Sequence, residues 1–95
     1  MITSKQRSYL KSLANTMQPK VIIGKNSLTE TVLKQIDDTL KAGELVKIKI
    51  LNNNLDDHNE IVQTILKELN CEFVSHLGSK FVVYRESEDK LIQLP

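Results

Sequence analysis

Apolar positions recur along this chain in two rhythms, one helical and one alternating, and their order predicts seven elements. Gln6, Tyr9, Leu10, Leu13, Ala14 and Met17 fall on one stripe at helical spacing. Thr3 caps that helix and Gln6, three positions later, completes a capping box. Pro19 is expected to end it, because the residue before a proline is pushed out of the helical region. Val21-Ile22-Ile23 is a short, wholly apolar, β-branched run and reads as a buried strand, followed by a tight turn at Gly24-Lys25-Asn26. Ser27 and Glu30 form a second capping box, opening a helix whose core face is Leu28, Val32, Leu33, Ile36 and Leu40, with Gly43 as its stop.

Leu45 to Leu51 alternates as a half-buried strand does, with Val46, Ile48 and Ile50 on one face and Lys47 and Lys49 on the other. Asn52-Asn53-Asn54 is a loop. Asp56 or Asp57 caps a third helix that buries Ile61, Ile65, Leu66 and Leu69, and Asn70 is its left-handed stop. Phe73–Leu77 and Phe81–Arg85 flank Gly78-Ser79-Lys80 as a hairpin. The apolar tail Leu91–Pro95 is expected to dock back on the body. The predicted fold is therefore α/β (α+β), in the order α-β-α-β-α-β-β. A mixed four-stranded sheet follows, since strand–helix–strand units favour parallel neighbours and the hairpin is antiparallel.

Length and composition narrow the class. With 95 residues, 40% hydrophobic and 26% charged, the chain fits one globular domain over residues 1–95. No apolar run approaches the roughly 20 residues needed to cross a bilayer. Met1-Ile2-Thr3-Ser4-Lys5 lacks the basic-then-apolar order of a secretory signal, and Cys71 stands alone. A cytoplasmic setting without membrane contact is the expectation. Net charge is only +1, but it is polarised: residues 1–50 carry nine Lys and Arg against four Asp and Glu, and residues 51–95 carry four against eight. Such a map is what an electrostatic footprint on one face produces.

Catalytic and metal chemistry find little support. His58 and His76 lie in no Ser-His-Asp or Cys-His pattern, and no His-x-x-x-His or Cys-x-x-Cys spacing occurs. Asp37-Asp38 and Asp56-Asp57 read as solvated helix positions and helix starts. No enzyme activity, cofactor, metal or small-molecule substrate is expected. Phosphate binding is more promising. Ile23-Gly24-Lys25-Asn26-Ser27 leads from a strand into a helix N-terminus, whose unpaired N–H groups attract phosphate oxygens. The same segment also reads as an ordinary strand–helix turn. Lys47 and Lys49 suit either solvent or a phosphate backbone. Tyr84 is either core or a platform for a base.

The ordered set of segments resembles the CRM domain, the chloroplast RNA splicing and ribosome maturation family, in its freestanding bacterial form. The residues that carry the resemblance are Gln6-Arg7-Ser8-Tyr9-Leu10 with Leu13-Ala14, then Ile23 to Thr29, Glu44 to Lys47 and Leu51-Asn52-Asn53. Leu77-Gly78-Ser79-Lys80, Val83-Tyr84-Arg85 and Leu94-Pro95 complete it. The resemblance implies a fold similar to the C-terminal domain of translation initiation factor three. It also implies binding of RNA, and association with precursors of the large ribosomal subunit. The family's GxxG loop lies between the first strand and second helix. Gly24 matches its first glycine, while Ser27 stands where the second is usual, a steric cost if that position needs positive φ.

On this reading Gly24, Lys25, Asn26 and Ser27 hold the RNA backbone. Arg7, Lys11 and Lys20 extend the positive surface, and Lys47, Lys49, Lys80 and Arg85 are further members. Recognition is expected to rest on backbone and shape, since aromatics are few. The rival is a protein-interaction module docking on a ribosomal protein or assembly factor, with Asp56, Asp57, Glu60, Glu86, Glu88 and Asp89 as contacts.

Overall fold

Two separate hydrophobic clusters, one on each face of a single sheet, organise the protein in a computed structural model that describes residues 2–95. Met1, the first residue of the stretch read for a signal, lies outside the described residues. The elements are α1 (Ser4–Ala14), β1 (Val21–Ile23), α2 (Glu30–Gly43), β2 (Leu45–Ile50), α3 (His58–Leu69), β3 (Glu72–Leu77) and β4 (Lys80–Tyr84). The sheet order is β1-β2-β4-β3. β1 runs parallel to β2, and β4 is antiparallel to both β2 and β3. The predicted element order and mixed four-stranded sheet are thus present.

Alternation in the strands sorts side chains between the clusters. Val46, Ile48 and Ile50 of β2, with Phe81 and Val83 of β4, pack under Ile36, Leu40, Ile61 and Ile65 of α2 and α3. The opposite face takes Leu45, Val82 and Tyr84, covered by Leu10 and Ala14 of α1. Phe73 packs with the first cluster and Val74 with the second, and a bulge between Phe73 and Ser75 leaves Val74 as the extra residue of β3. Ile92 and Leu94 of the tail pack on the second cluster, as expected. Each fully buried aliphatic side chain stabilises the fold by about 1.5–3 kcal/mol.

Local signals place α1 and α3 accurately at their starts. The Thr3–Gln6 capping box forms, and Asp57 rather than Asp56 caps α3 by accepting from Asn59 and Glu60 N–H. Asn70 ends α3 in the left-handed region at φ 51°. Several boundaries and burial assignments differ from expectation. α1 stops at Ala14, well before Pro19, because the Met17 N–H bonds the Ala14 carbonyl and tightens the last turn. The α2 cap is Thr29, whose hydroxyl accepts from Val32 N–H; Ser27 sits at φ 58° and cannot cap, since a cap needs extended backbone.

Gly43 is the last helical residue of α2, and the left-handed stop falls on Glu44 at φ 68°. The hairpin turn contracts to Gly78-Ser79, with Lys80 paired to Leu77 and Gly78 at φ 61°. Ile22 is 53% exposed, because β1 is an edge strand and α1 does not reach it. On α3, Val62 is fully buried while Leu66 and Leu69 lie at the core margin. Tyr9 stays largely exposed and Tyr84 is buried to 3%, which removes Tyr84 as a stacking platform.

Two polar networks, one buried and one half-buried, tie the layers together. Glu44, fully buried, accepts from Ser87 N–H (2.7 Å), Ser87 Oγ–H (2.6 Å) and Ile92 N–H (2.7 Å), fixing the tail. Arg85 donates through Nη1 to the Leu69 carbonyl (2.8 Å) and through Nη2 to Asp37 Oδ1 (2.8 Å), joining α2, α3 and the end of β4. No described helix is long and apolar enough to cross a membrane.

A candidate nucleic-acid interface at one end of the sheet

Parallel β1 and β2 finish at the same end of the sheet, and the β3–β4 turn arrives there too. Leu51 N–H bonds the Ile23 carbonyl at 2.9 Å, and Ile50 N–H bonds the Ser79 carbonyl at 2.7 Å. The segment 24–29, the loop 51–57 and the Gly78-Ser79 turn therefore share one edge, next to the N-termini of α2 and α3.

Gly24 to Ser27 form a turn closed by the Ser27 N–H on the Gly24 carbonyl at 3.0 Å. That bond leaves the N–H groups of the central residues, Lys25 and Asn26, without a protein acceptor among the described residues. Both side chains are exposed. Gly24 is not in the left-handed region, and a Cβ there would meet only Leu51 Cδ1 at 3.9 Å, an ordinary contact. The fold itself thus does not demand glycine at 24, whereas a surface approached closely by a ligand backbone does favour it. Ser27 holds the left-handed conformation that favours glycine.

Asn54, nearly buried, fixes this turn from the side. Its Nδ2 donates to the Gly24 carbonyl at 2.8 Å, and its Oδ1 accepts from Asp56 N–H at 2.8 Å. It is a positioning residue that the sequence pattern shows only as part of an asparagine run. The α2 N-terminus lies two residues beyond Ser27, where Thr29 caps it by accepting the Val32 N–H and Glu30 places a negative charge in its first turn. An anion at the turn would therefore meet Lys25 and the free turn amides rather than the helix end.

The two faces of the sheet flank this end with different charge, and only the groove towards α3 is lined by residues of the turn. Towards α3 lies a groove lined by Asn26, Ser27, Asp56 and Glu60. On the α1 face of the sheet lies a groove of about 590 Å³ lined by Lys11, Asn15, Lys47, Leu77 and Lys80, among others, with no carboxylate in its lining. Lys49 and Lys80 are directly opposite each other on this face. An anionic ligand is repelled on the first flank and attracted on the second.

The other residues singled out from the sequence take different places. Lys11 and Lys80 are exposed at the basic groove. Lys47 lines it too, but its ammonium donates to the Ala14 and Met17 carbonyls at 3.0 and 3.2 Å, closing the end of α1. Lys20 precedes β1, about 13 Å from Gly24 at strand rise. Arg7 spends its Nε on the Phe73 carbonyl at 3.1 Å, covering the β3 edge. Arg85 stands at the opposite end of β4, held by Leu69 and Asp37, so the structure separates it from the turn. His58 and His76 face each other at 6.1 Å, and His76 Nε2 lies 3.0 Å from the Gly78 carbonyl, which pins the hairpin. Among the described residues no three His, Cys, Asp or Glu side chains gather as metal ligands. Burial pushes the lone Cys71 thiol up to about 11.

Comparison with known proteins places this arrangement. The family described as the CRS1 / YhbY (CRM) domain matches residues 2–85. Over its full length the chain is 35% identical to Probable RNA-binding protein YqeI of Bacillus subtilis, all of which is covered. An RNA-binding protein of Haemophilus influenzae is 37% identical over 99% of this chain and 95% of its own. The solution structure of a hypothetical protein from Staphylococcus aureus superposes with a TM-score of 0.83 at 47% identity, covering all of both chains. The match of sequence over residues 2–85 and of fold over the whole chain makes this protein a member of the CRM domain family.

Proposed function

We propose that this protein binds RNA of the precursor large ribosomal subunit in the cytoplasm and assists its assembly, by binding rather than by catalysis. The turn Gly24–Ser27 carries the reading: an unhindered glycine, a left-handed Ser27, an exposed Lys25 and two unpaired amides at one solvent-facing corner. The amides and the Lys25 ammonium can donate to phosphate oxygens without reading bases. The names of the Bacillus and Haemophilus relatives support RNA as the partner class. Lys11, Lys49 and Lys80 extend the contact along the carboxylate-free flank, while Lys47, Arg7 and Arg85 serve it only by holding the scaffold.

Sedimentation of a cell lysate at low and high salt, following this protein, tests the assembly role. Comigration with large-subunit precursors that is lost at high salt is the expected result, because phosphate contacts weaken steeply as salt rises. Migration as a free small protein under every condition contradicts it. Comigration that resists salt would instead indicate docking on a ribosomal protein.

A further inference from the structure

The register of the sheet lines up four side chains, one from each strand, on the face that α1 only partly covers. Ile22 pairs with Lys49, Lys49 with Lys80, and Lys80 with Leu77. The outer two are aliphatic and exposed, Ile22 at 53% and Leu77 at 85%. The inner two are lysines placed directly opposite each other, an arrangement that is destabilising for like charges. The ion pairs of the described residues, Lys34–Asp38, Lys41–Asp37 and Arg85–Asp37, leave both lysines out. The neighbouring groove, which also takes in Lys80 and Leu77, carries no carboxylate, whereas four further grooves each include at least one. Among the described residues no ion pair offsets this pair of charges, and both aliphatics are exposed.

We infer that a single-stranded stretch of the bound RNA lies across this strip, a contact distinct from the Gly24–Ser27 turn. Its phosphates sit between Lys49 and Lys80, and its bases or riboses rest on Ile22 and Leu77. The inference rests on the reading that the protein binds RNA. A single strand fits because the row sets a pair of positive charges between two apolar ends. Splayed nucleotides present both a phosphate and an apolar ring face, whereas a duplex hides its bases and would set Ile22 and Leu77 against hydrated phosphates. The strip begins at β1, whose end leads directly into Gly24, so one strand can pass from the turn onto the sheet.

Affinity for a 12-nucleotide uridine strand and for a 12-base-pair RNA duplex, each measured over a salt series, tests this. The proteins are the wild type, Lys49→Gln with Lys80→Gln, Ile22→Thr with Leu77→Thr, and Lys25→Gln. The double lysine variant should bind the single strand about tenfold more weakly, with a shallower salt dependence. The double threonine variant should lose about fivefold with an unchanged salt slope. Duplex binding should change by less than about twofold in both. Thermal melting should show the double lysine variant as stable as the wild type or more so, since a like-charge pair is removed. Unchanged single-strand binding in both strip variants, with a loss in Lys25→Gln, overturns the strip and leaves RNA binding standing. No binding of either RNA by the wild type overturns the functional reading itself. An equal loss for strand and duplex overturns the single-stranded assignment.

Discussion

The carboxylate of Glu44 accepts two hydrogen bonds from Ser87, 2.7 Å from its N–H and 2.6 Å from its hydroxyl, across 43 residues of chain. A third bond from Ile92 N–H completes the clasp, so one buried acid at the end of α2 holds the C-terminal segment over the α1 face. Burial pushes this carboxyl up, but the bonds from Ser87 and from the Ile92 and Leu91 backbone outweigh it, and its pKa falls below the ordinary carboxylate value.

Glu44→Ala is expected to lower stability by about 2–4 kcal/mol, since buried donors lose their acceptor. Limited proteolysis should cut the tail of the variant and spare that of the wild type. The pH dependence follows from the depressed pKa. The stabilisation is present at neutral pH, above the unfolded-state value, and is lost as pH falls through the lower folded-state value. Denaturant melts between pH 7 and acid should therefore show a steeper loss for the wild type than for the variant.

Ser27 occupies φ 58°, where a Cβ costs about 1–2 kcal/mol and glycine costs only extra chain entropy. Ser27→Gly should raise stability by about 0.5–1 kcal/mol, a few degrees in melting temperature for a domain of this size. Ser27→Val should lower it, as a β-branched side chain resists this conformation. Thermal melts of the two variants give opposite signs if the turn is as described.

Lys47 spends its ammonium on the Ala14 and Met17 carbonyls, closing the end of α1 in the manner of a C-terminal cap. Lys47→Met should cost about 1–2 kcal/mol of stability. Lys49→Gln, two residues along the same strand face, should cost nothing measurable. Chemical denaturation of both separates a structural lysine from a surface one.

Arg85 is a strut between α2 and α3. Bonds from Lys41 and then from Arg85 hold the Asp37 carboxyl below its usual range. Arg85→Gln should destabilise the fold by about 1–3 kcal/mol, because the Leu69 carbonyl and Asp37 lose a charged donor. Its RNA affinity, measured well below the melting temperature, should stay within about twofold of wild type.

The elements that were legible in the sequence are those whose signals are local. Thr3 with Gln6, Asp57 ahead of α3, Asn70 after it and the alternation of Leu45–Leu51 each act within a turn or a strand, so spacing alone reveals them. What spacing could not reveal depends on distant partners. Thr29 caps α2 in place of Ser27, and Asn54, thirty residues beyond Gly24, anchors that end of the turn. Glu44, rather than Gly43, takes the left-handed stop at a site where its side chain meets Ser87. The candidate site divides in the same way. Lys25 and Asn26 follow from the turn itself, whereas the roles of Lys47 and Arg85 depend on α1 and α2 packing beside them.

Lys25 is the residue on which the account turns, and its salt dependence is the most direct test. Dissociation constants of the wild type and Lys25→Gln for a large-subunit ribosomal RNA fragment should be measured between about 50 and 200 mM salt. Affinity should be several-fold weaker for the variant, with the logarithmic salt slope shallower by about 0.7–0.9, the loss of one phosphate contact. Equal affinity and an equal slope in the two proteins would contradict it.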